Sequence, residues 1–523
     1  MTLEKFIKIQ KYKILGKIIV FLSFLIFFFY KMDLDYLDYL DGFRRLTPFF
    51  KAFSYIEFSD YKIVIYKMIE TFITAFSSTL LGVLFATLIS PFLTRYFIKN
   101  LFINKILNFI FLTFRTVPAL VLAAILVGII GSGSFTGFIS LFIITFFYAS
   151  KFLKEYLEEI PKEKIIGFSS MGISRLALFR SCIFPLSKPY IISLFFLTLE
   201  SSIRGASVLG MVGAGGIGEE LWKNLSYLRY DKVAFIILVL LLFIFFTDSL
   251  SWFFRKKDDY IKTSTKEAYY LSKNIRKIFV TLLIIVMFLF VRFLYSSVDN
   301  LSLSVIFERT FKFFEKLKYI DFSYYQKGIP ALFDSFMVAI FATVFAAPTA
   351  IIISYFASSN ISSIKTSFIF KGLINFIRTF PPVIVAIIFF SGFGPGLISG
   401  FFALYIYTTG ILTKIYVDIL ESKDIDYGIY GKSIGLKKFY IYLKLWVPST
   451  YTNFISVLLY RFESNMKNSS VLGMVGAGGI GELLINNIGF RNWEKVWLLL
   501  ILLIITILLI ENFSIFIRKK INS

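Results

Sequence analysis

Apolar runs of fifteen residues or more, most of them closed by lysines or arginines, recur along the whole chain. A helix needs about 20 apolar residues to cross the hydrocarbon core of a bilayer. The first run, near 14–30, follows Lys5, Lys8, Lys11 and Lys13. No small-residue cleavage site comes after it, so it reads as a retained span with a cytoplasmic N-terminus. The stretch beyond it carries Asp33, Asp35, Asp38, Asp41, Glu57 and Asp60, as suits an external loop. Further spans are predicted near 71–93, 106–131, 135–152, 190–203 and 233–254. The segment from Lys154 to Phe184 is too hydrophilic to cross. Arg255, Lys256 and Lys257 close the sixth span. The same pattern then returns near 278–297, 330–356, 366–393, 397–415, 449–466 and 496–515.

The pattern predicts an all-α polytopic membrane protein of about twelve transmembrane helices. It falls into a first repeat at 1–257, a basic cytoplasmic linker at 258–276 and a second repeat at 277–523. An even number of spans in each half gives both halves the same orientation, with both termini cytoplasmic. The result is a parallel repeat about an axis along the membrane normal.

The letters repeat as well as the pattern. Ser207–Glu219, SVLGMVGAGGIGE, returns unchanged at Ser470–Glu482, an offset of 263 (470 minus 207). The same offset relates Arg115 to Arg378, Pro118 to Pro381, Gly131 to Gly394, Gly172 to Gly435, Pro185 to Pro448, Glu200 to Glu463 and Arg255 to Arg518. That period is too long for a solenoid unit and fits a duplicated domain.

Composition narrows the chemistry. The chain is 57% hydrophobic with 66 Phe and 30 Tyr, more apolar surface than a soluble core absorbs. Its net charge of +23 sits at the ends of apolar runs. Positive-inside topology accounts for that placement, and nucleic acid is not an expected partner. The absence of histidine removes His-based catalysis and His metal sites. Cys182 is the single cysteine, so no intrachain disulfide forms. No Cys/Asp/Glu cluster has metal-ligand spacing. Neither a catalytic residue, a metal site nor a bound cofactor is expected.

Two motifs imitate nucleotide sites. Gly213, Gly215 and Gly218, with Gly476, Gly478 and Gly481, match GxGxxG. That fingerprint binds pyrophosphate only between a strand and a helix of a βαβ unit, and here a membrane span precedes it. A helix break beside a translocation path is the preferred reading, and close helix packing through small residues is the alternative. Gly431, Lys432 and Ser433 end like a Walker A loop, but Asp426 stands where its first glycine belongs. The chain therefore carries no ATP site of its own.

Ile166–Pro185 and Ile429–Pro448 each read as a helical segment, then Gly172 or Gly435, a second amphipathic segment, and a Pro opening the next span. Surface-lying helices are the simpler reading of such units.

The order RT-x-P, helix–Gly–helix loop ending in Pro, intramembrane Glu, SVLGMVGAGGIG and a basic end resembles phosphonate-type ABC-transporter permeases, over about 200 residues of each half. The tandem arrangement resembles the fused permease of high-affinity uptake systems in wall-less bacteria. The resemblance implies a type I ABC-importer permease fold and transport of phosphonate, phosphate or a related phosphorylated compound. It implies two ATPase subunits, which bind the ATP, at the cytoplasmic face, and an extracytoplasmic substrate-binding lipoprotein. The loops holding Gly172, Pro185, Gly435 and Pro448 would be the EAA loops that dock on the ATPases. Both lack the acidic residue usual near the loop start, with Ile166 and Ile429 in its place. The second repeat keeps the family-like Tyr460-Arg461-Phe462-Glu463, where the first reads Leu197-Thr198-Leu199-Glu200.

Charged residues inside the spans are the candidate translocation path. Arg115 and Glu200 lie at similar depth, as do Arg378 and Glu463, which predicts an Arg–Glu pair within each half. Arg461 has no charged counterpart and is the candidate grip for an anion, a guanidinium being suited to two parallel hydrogen bonds. Gly213, Gly215, Gly218, Gly476, Gly478 and Gly481 are placed along the same path. Membrane-buried Glu200 and Glu463 would equally suit the alternative, an ion-coupled secondary transporter.

Overall fold

The computed structural model describes residues 36–522 apart from 53, 96, 99, 161–173, 261–302 and 424–426, together with 23, 26–28 and 30. Among these residues every regular element is a helix. The first repeat contributes α1 (Tyr36–Arg45), α2 (Thr47–Ala52), α3 (Tyr61–Leu93), α4 (Leu101–Thr116), α5 (Ala119–Ile130), α6 (Ser134–Glu159), α7 (Phe184–Leu209), α8 (Ile217–Ser226) and α9 (Tyr230–Tyr260). The second contributes α10 (Leu303–Glu315), α11 (Tyr325–Ala357), α12 (Ile364–Thr379), α13 (Pro382–Phe393), α14 (Leu397–Glu421), α15 (Val447–Leu472), α16 (Ile480–Gly489) and α17 (Trp493–Asn522). From α3 and α11 onward the two sets run in parallel, and α7 and α15 are each 26 residues long. The duplication therefore extends from letters to architecture.

Seven described helices are long and apolar enough to cross a membrane, and three bent pairs bring the total to ten. These ten coincide with ten of the twelve predicted spans. The other two, near 14–30 and 278–297, fall outside the described residues except at a few positions. Helix α9 continues past the predicted repeat boundary at 257, as far as Tyr260.

The spans predicted as single runs at 106–131 and 366–393 are broken. Helix α5 turns 85° from α4, and α13 turns 84° from α12. The cause is the RT-x-P sequence. A proline ring excludes the helical region from the residue before it. Val117 (φ −65, ψ 123) and Phe380 (φ −75, ψ 119) are accordingly extended. The fifth span, expected to be short at 190–203, runs the full length of α7. Pro185 occupies its first turn, where a missing N–H costs nothing. The polar Glu200, Ser201, Ser202 and Arg204 stay within the helix instead of ending it.

Each repeat has a core of three packed helices, α3–α6–α7 and α11–α14–α15. Fully buried small residues on the facing helices, Ala75, Ala86, Ser140 and Ala149 in the first repeat and Ala339, Ala346, Ser399 and Ala403 in the second, let the backbones approach closely. The terminal helices then cross over. Helix α17 packs on α4, α9 on α12, and α10 on α5. Helix α1 packs on α13, and Phe43 meets Phe393 of α13 and Phe402 of α14 edge-on. The repeats are interlocked, with each placing helices against the broken span of the other.

A charged cavity between the repeats

The proline breaks shape a cavity of about 340 Å³ where the two repeats meet. Pro118 of the first repeat and Pro381 of the second both line it, and one face of α7 and one of α15 complete it. That face carries Ser201, Arg204 and Val208 in α7, and at the same offset Ser464, Lys467 and Val471 in α15. Positions three and four apart share a helix face, so each repeat presents the same triplet. Arg115 and Glu463 also line the cavity.

The arginines before the proline breaks pair with glutamates of the other repeat. The Arg115 guanidinium lies 3.9 Å from Glu463 and donates to Glu511 on α17. Arg378 lies 4.0 Å from Glu200. The predicted Arg115–Glu200 and Arg378–Glu463 pairs are thus exchanged between halves. The reason is the bend. Each arginine sits in the last turn of its helix, three residues before the proline, and that helix packs on the last span of the other repeat.

Within each helix the glutamates also hold the base one turn on. Arg204 donates to Glu200 at 2.5 Å, and Lys467 donates to Glu463 at 3.1 Å. Lys151 lies 3.8 Å from Glu511. Sequence reading missed Arg204, Lys467 and Glu511. The first two were visible as a base four residues after each matched glutamate. Glu511 was visible as an acid inside the last apolar run, with Asp248 at the matching offset in the first repeat.

Arg461 does not line the cavity. It is buried, with its guanidinium over the ring of Tyr407 (5.5 Å), which does line it. Its hydrogen bonds go to Ser464 (3.5 Å) and Asn465 (3.4 Å). Thr198, its counterpart, bonds back to the carbonyls of its own helix.

The six motif glycines lie beyond the cavity, at the turn from α7 into α8 and from α15 into α16. In the second repeat the break bends the chain by 60°. Gly213 and Gly476 are left-handed (φ +90 and +109) and reverse the chain there. A Cβ on Gly218 or Gly481 would run into the carbonyl oxygen of Ser207 or Ser470. Break and close packing therefore occur together, with Gly215 and Gly478 (both φ +74) between them. The amides at the start of α8 are already engaged. Gly216 N–H donates to Glu70 (3.0 Å) and Ile217 N–H to Thr71 (2.8 Å). Ile480 N–H donates to Ser335 (3.0 Å) at the matching point of α16. These are the donors that a dinucleotide phosphate would need.

On the opposite side, Gly435 (φ +73) joins two short helices, Tyr427–Ser433 and Lys438–Ile441, and stands exposed. The Walker-like Gly431–Ser433 belongs to the first of these helices and not to a strand–helix loop. A π-helical turn, Tyr442–Trp446, leads into α15, with Pro448 in its first turn. In the first repeat Phe179–Ile183 forms the same turn ahead of Pro185. Gly172 lies outside the described residues.

The model of the binding-protein-dependent transport system inner membrane component family matches residues 78–257 and again 350–522. The chain belongs to that family, and carries its module twice. It is the permease subunit of an ABC importer and not itself an enzyme. It is 24% identical over 408 residues to the phosphate-import permease protein of Mycolicibacterium smegmatis, covering 78% of this chain and 76% of that protein. It is 29% identical over 200 residues to the phosphite transport system permease protein of Stutzerimonas stutzeri, covering 38% of this chain and 73% of that one. A putative cryptic phosphonate transport system permease protein of Escherichia coli is 38% identical over 119 residues, covering 22% of this chain and 96% of that one.

Proposed function

We propose that this permease carries a phosphorus oxyanion (phosphate, phosphonate or a related phosphorylated compound) into the cell along the interface of its two repeats. The single observation that carries this reading is the cavity walled by both repeats, lined by the cations Arg115, Arg204 and Lys467. A low-dielectric wall bearing cations lowers the barrier that an anion meets inside a membrane. The names of the relatives support the same substrate class.

The partners follow from the class. Two ATPase subunits bind the ATP and dock beneath the loops that hold Gly172 and Pro185, and Gly435 and Pro448. A substrate-binding lipoprotein delivers the anion from the outside, and the chain needs no cofactor of its own. Both termini and the linker 258–276 lie in the cytoplasm, between repeats at 1–257 and 277–523. ATPase closure rocks the repeats, which changes the cross-repeat pairs of Arg115 with Glu463 and Arg378 with Glu200. Arg461 adds positive field from behind Tyr407. The glycine turns at Gly213, Gly215 and Gly218, and at Gly476, Gly478 and Gly481, close the outer end of the path.

Uptake of radiolabelled phosphate and methylphosphonate by proteoliposomes holding the complete importer tests this reading. Uptake should require ATP and the lipoprotein. Uptake that follows an ion gradient without ATP, or that ignores both anions, overturns it.

A further inference from the structure

Helix α10 presents three distinct faces. Ile306, Arg309, Thr310 and Phe313, spaced three and four apart, turn toward the protein. Phe313 is buried, with its ring against Trp493 (5.2 Å) and Trp497 (4.6 Å) of α17. Its carbonyl accepts the indole N–H of Trp497 at 2.8 Å. Arg309 donates to the carbonyl of Ile129, near the end of α5, at 3.4 Å. A second face carries Glu308 and Lys312, an exposed ion pair one turn apart. The third carries Phe307, Phe311 and Phe314, which are 74%, 69% and 57% exposed. At 3.6 residues per turn the three rings share an arc of roughly 60°, about a third of a turn from either of the other faces.

Helix α1 of the first repeat is built the same way. Gly42 packs so closely on α13 that a Cβ on Gly392 would run into the Gly42 carbonyl oxygen. Leu40 and Phe43 form its exposed apolar face, and Asp41 and Arg44 its polar one. Each repeat thus lays one three-faced helix against the broken span of the other.

A row of bare phenylalanines in water is costly, because water gains when apolar surface is covered. Helix α10, however, lies against α5 and α17, which belong to membrane spans, so lipid surrounds its neighbours. An amphipathic helix in the membrane interface sinks its apolar face about 5–10 Å into the boundary of headgroups and acyl chains and keeps its charges among the headgroups. Beside a protein such a helix has three surroundings, namely protein, hydrocarbon and headgroups, and α10 has a face for each. Tyr319 and Tyr325, exposed beyond the end of α10, are of the type enriched at membrane boundaries.

We propose that α10 is seated in the phospholipid boundary, and that its partner is the lipid surface itself. Phe307, Phe311 and Phe314 enter the acyl region while Glu308 and Lys312 stay among the headgroups. The level is that of the glycine turns, since Ile129 adjoins the turn where Gly133 N–H donates to the Gly213 carbonyl (2.8 Å). The seat holds one end of α5, whose other end, at Ala119 and Leu120, lines the cavity. The bilayer thereby fixes one wall of the cavity at its far end, and α1 serves α13 in the same way.

The test places a nitroxide label, in a Cys182→Ala background, through Phe307→Cys, Phe311→Cys, Glu308→Cys or Lys312→Cys. Each labelled chain is reconstituted alone in phosphatidylcholine nanodiscs. Collisions with oxygen, which concentrates in lipid, are compared with collisions with a nickel chelate, which stays in water. The oxygen-to-nickel ratio should be several-fold higher at positions 307 and 311 than at 308 and 312. Adding the substrate-binding lipoprotein should leave every ratio unchanged. Equal ratios at all four positions overturn the proposal, because the aromatic face then stands in water. Shielding of 307 and 311 from both reagents overturns it as well, because protein then covers the face. Shielding that comes only with the lipoprotein would make the face a protein-docking surface instead. Melting near the parent temperature shows that a labelled variant is folded, and Phe314→Cys replaces either phenylalanine variant that fails this check. The outcome does not depend on which solute the permease carries.

Discussion

Arg115 of the first repeat and Glu463 of the second lie 3.9 Å apart, although 348 positions (463 minus 115) separate them in the chain. Both are buried, at 8% and 5% side-chain exposure, and Glu511 joins them from the last helix. An ion pair in a low-dielectric region favours whichever conformation keeps it intact. These pairs therefore oppose separation of the repeats.

The crossing can be read covalently. In a Cys182→Ala background, Arg115→Cys and Glu463→Cys are introduced with a protease site in the linker at 258–276. A short bis-maleimide reagent should then hold the two fragments together on a denaturing gel after cleavage. A link confined to the first repeat, as between Arg115→Cys and Glu200→Cys, leaves the fragments separate. Separate fragments from the first pair would return the arginine to its own repeat.

The buried cluster also makes a stability prediction. Glu511→Gln leaves Arg115 with one carboxylate at 3.9 Å, and removing one partner of a buried pair typically costs about 3–5 kcal/mol. The solubilised variant should melt well below the parent. Arg115→Met with Glu511→Gln removes both charges and should regain much of that loss. If the double variant melts as low as the sum of the single changes, the two residues do not act as a pair.

Much of this architecture was legible in the sequence, and the reasons for the remainder are specific. Apolar length located the spans, because the bilayer imposes it. The offset of 263 paired Arg204 with Lys467 as surely as Glu200 with Glu463, but only a helical-face count would have placed them on the cavity wall. Offsets state which residues are equivalent, not which repeat a side chain faces. The exchange of Arg115 and Arg378 between halves depends on the bend before Pro118 and Pro381, a three-dimensional consequence of a local rule. Arg461 and Thr198 occupy equivalent positions, and only packing reveals that the arginine lies behind Tyr407.

Coupling to the ATPases should depend on the turn at Gly435. Its φ of +73 is unfavourable for a β-branched residue, so Gly435→Val shifts the two flanking short helices. Strain of this kind costs about 1–3 kcal/mol, too little to unfold a helical membrane domain. Gly435→Val combined with Gly172→Val should therefore insert normally but lose substrate-stimulated ATP hydrolysis in the assembled importer. ATP hydrolysis and uptake at parent levels would remove these glycines from the coupling path.

Arg461 separates field from contact. Among the described residues no carboxylate lies within ion-pair distance of it, and its Nε has no hydrogen-bond partner. A buried cation held by two neutral side chains and the Tyr407 ring is held weakly, since a cation–π contact contributes about 0.5–2 kcal/mol. Apolar replacement of similar volume at a buried charge is often neutral or stabilising. Arg461→Met should therefore melt at or above the parent temperature. If the guanidinium serves the passing anion through its field, the same variant should carry phosphate several-fold more slowly, and Arg461→Lys should restore most of the rate because it keeps the charge. Since Arg461 does not line the cavity and Arg204 does, the KM of ATP-driven phosphate uptake should change less in Arg461→Met than in Arg204→Gln. A melting temperature several degrees below the parent would make Arg461 a packing residue. An equal rise of KM in the two variants would place its guanidinium in contact with the anion.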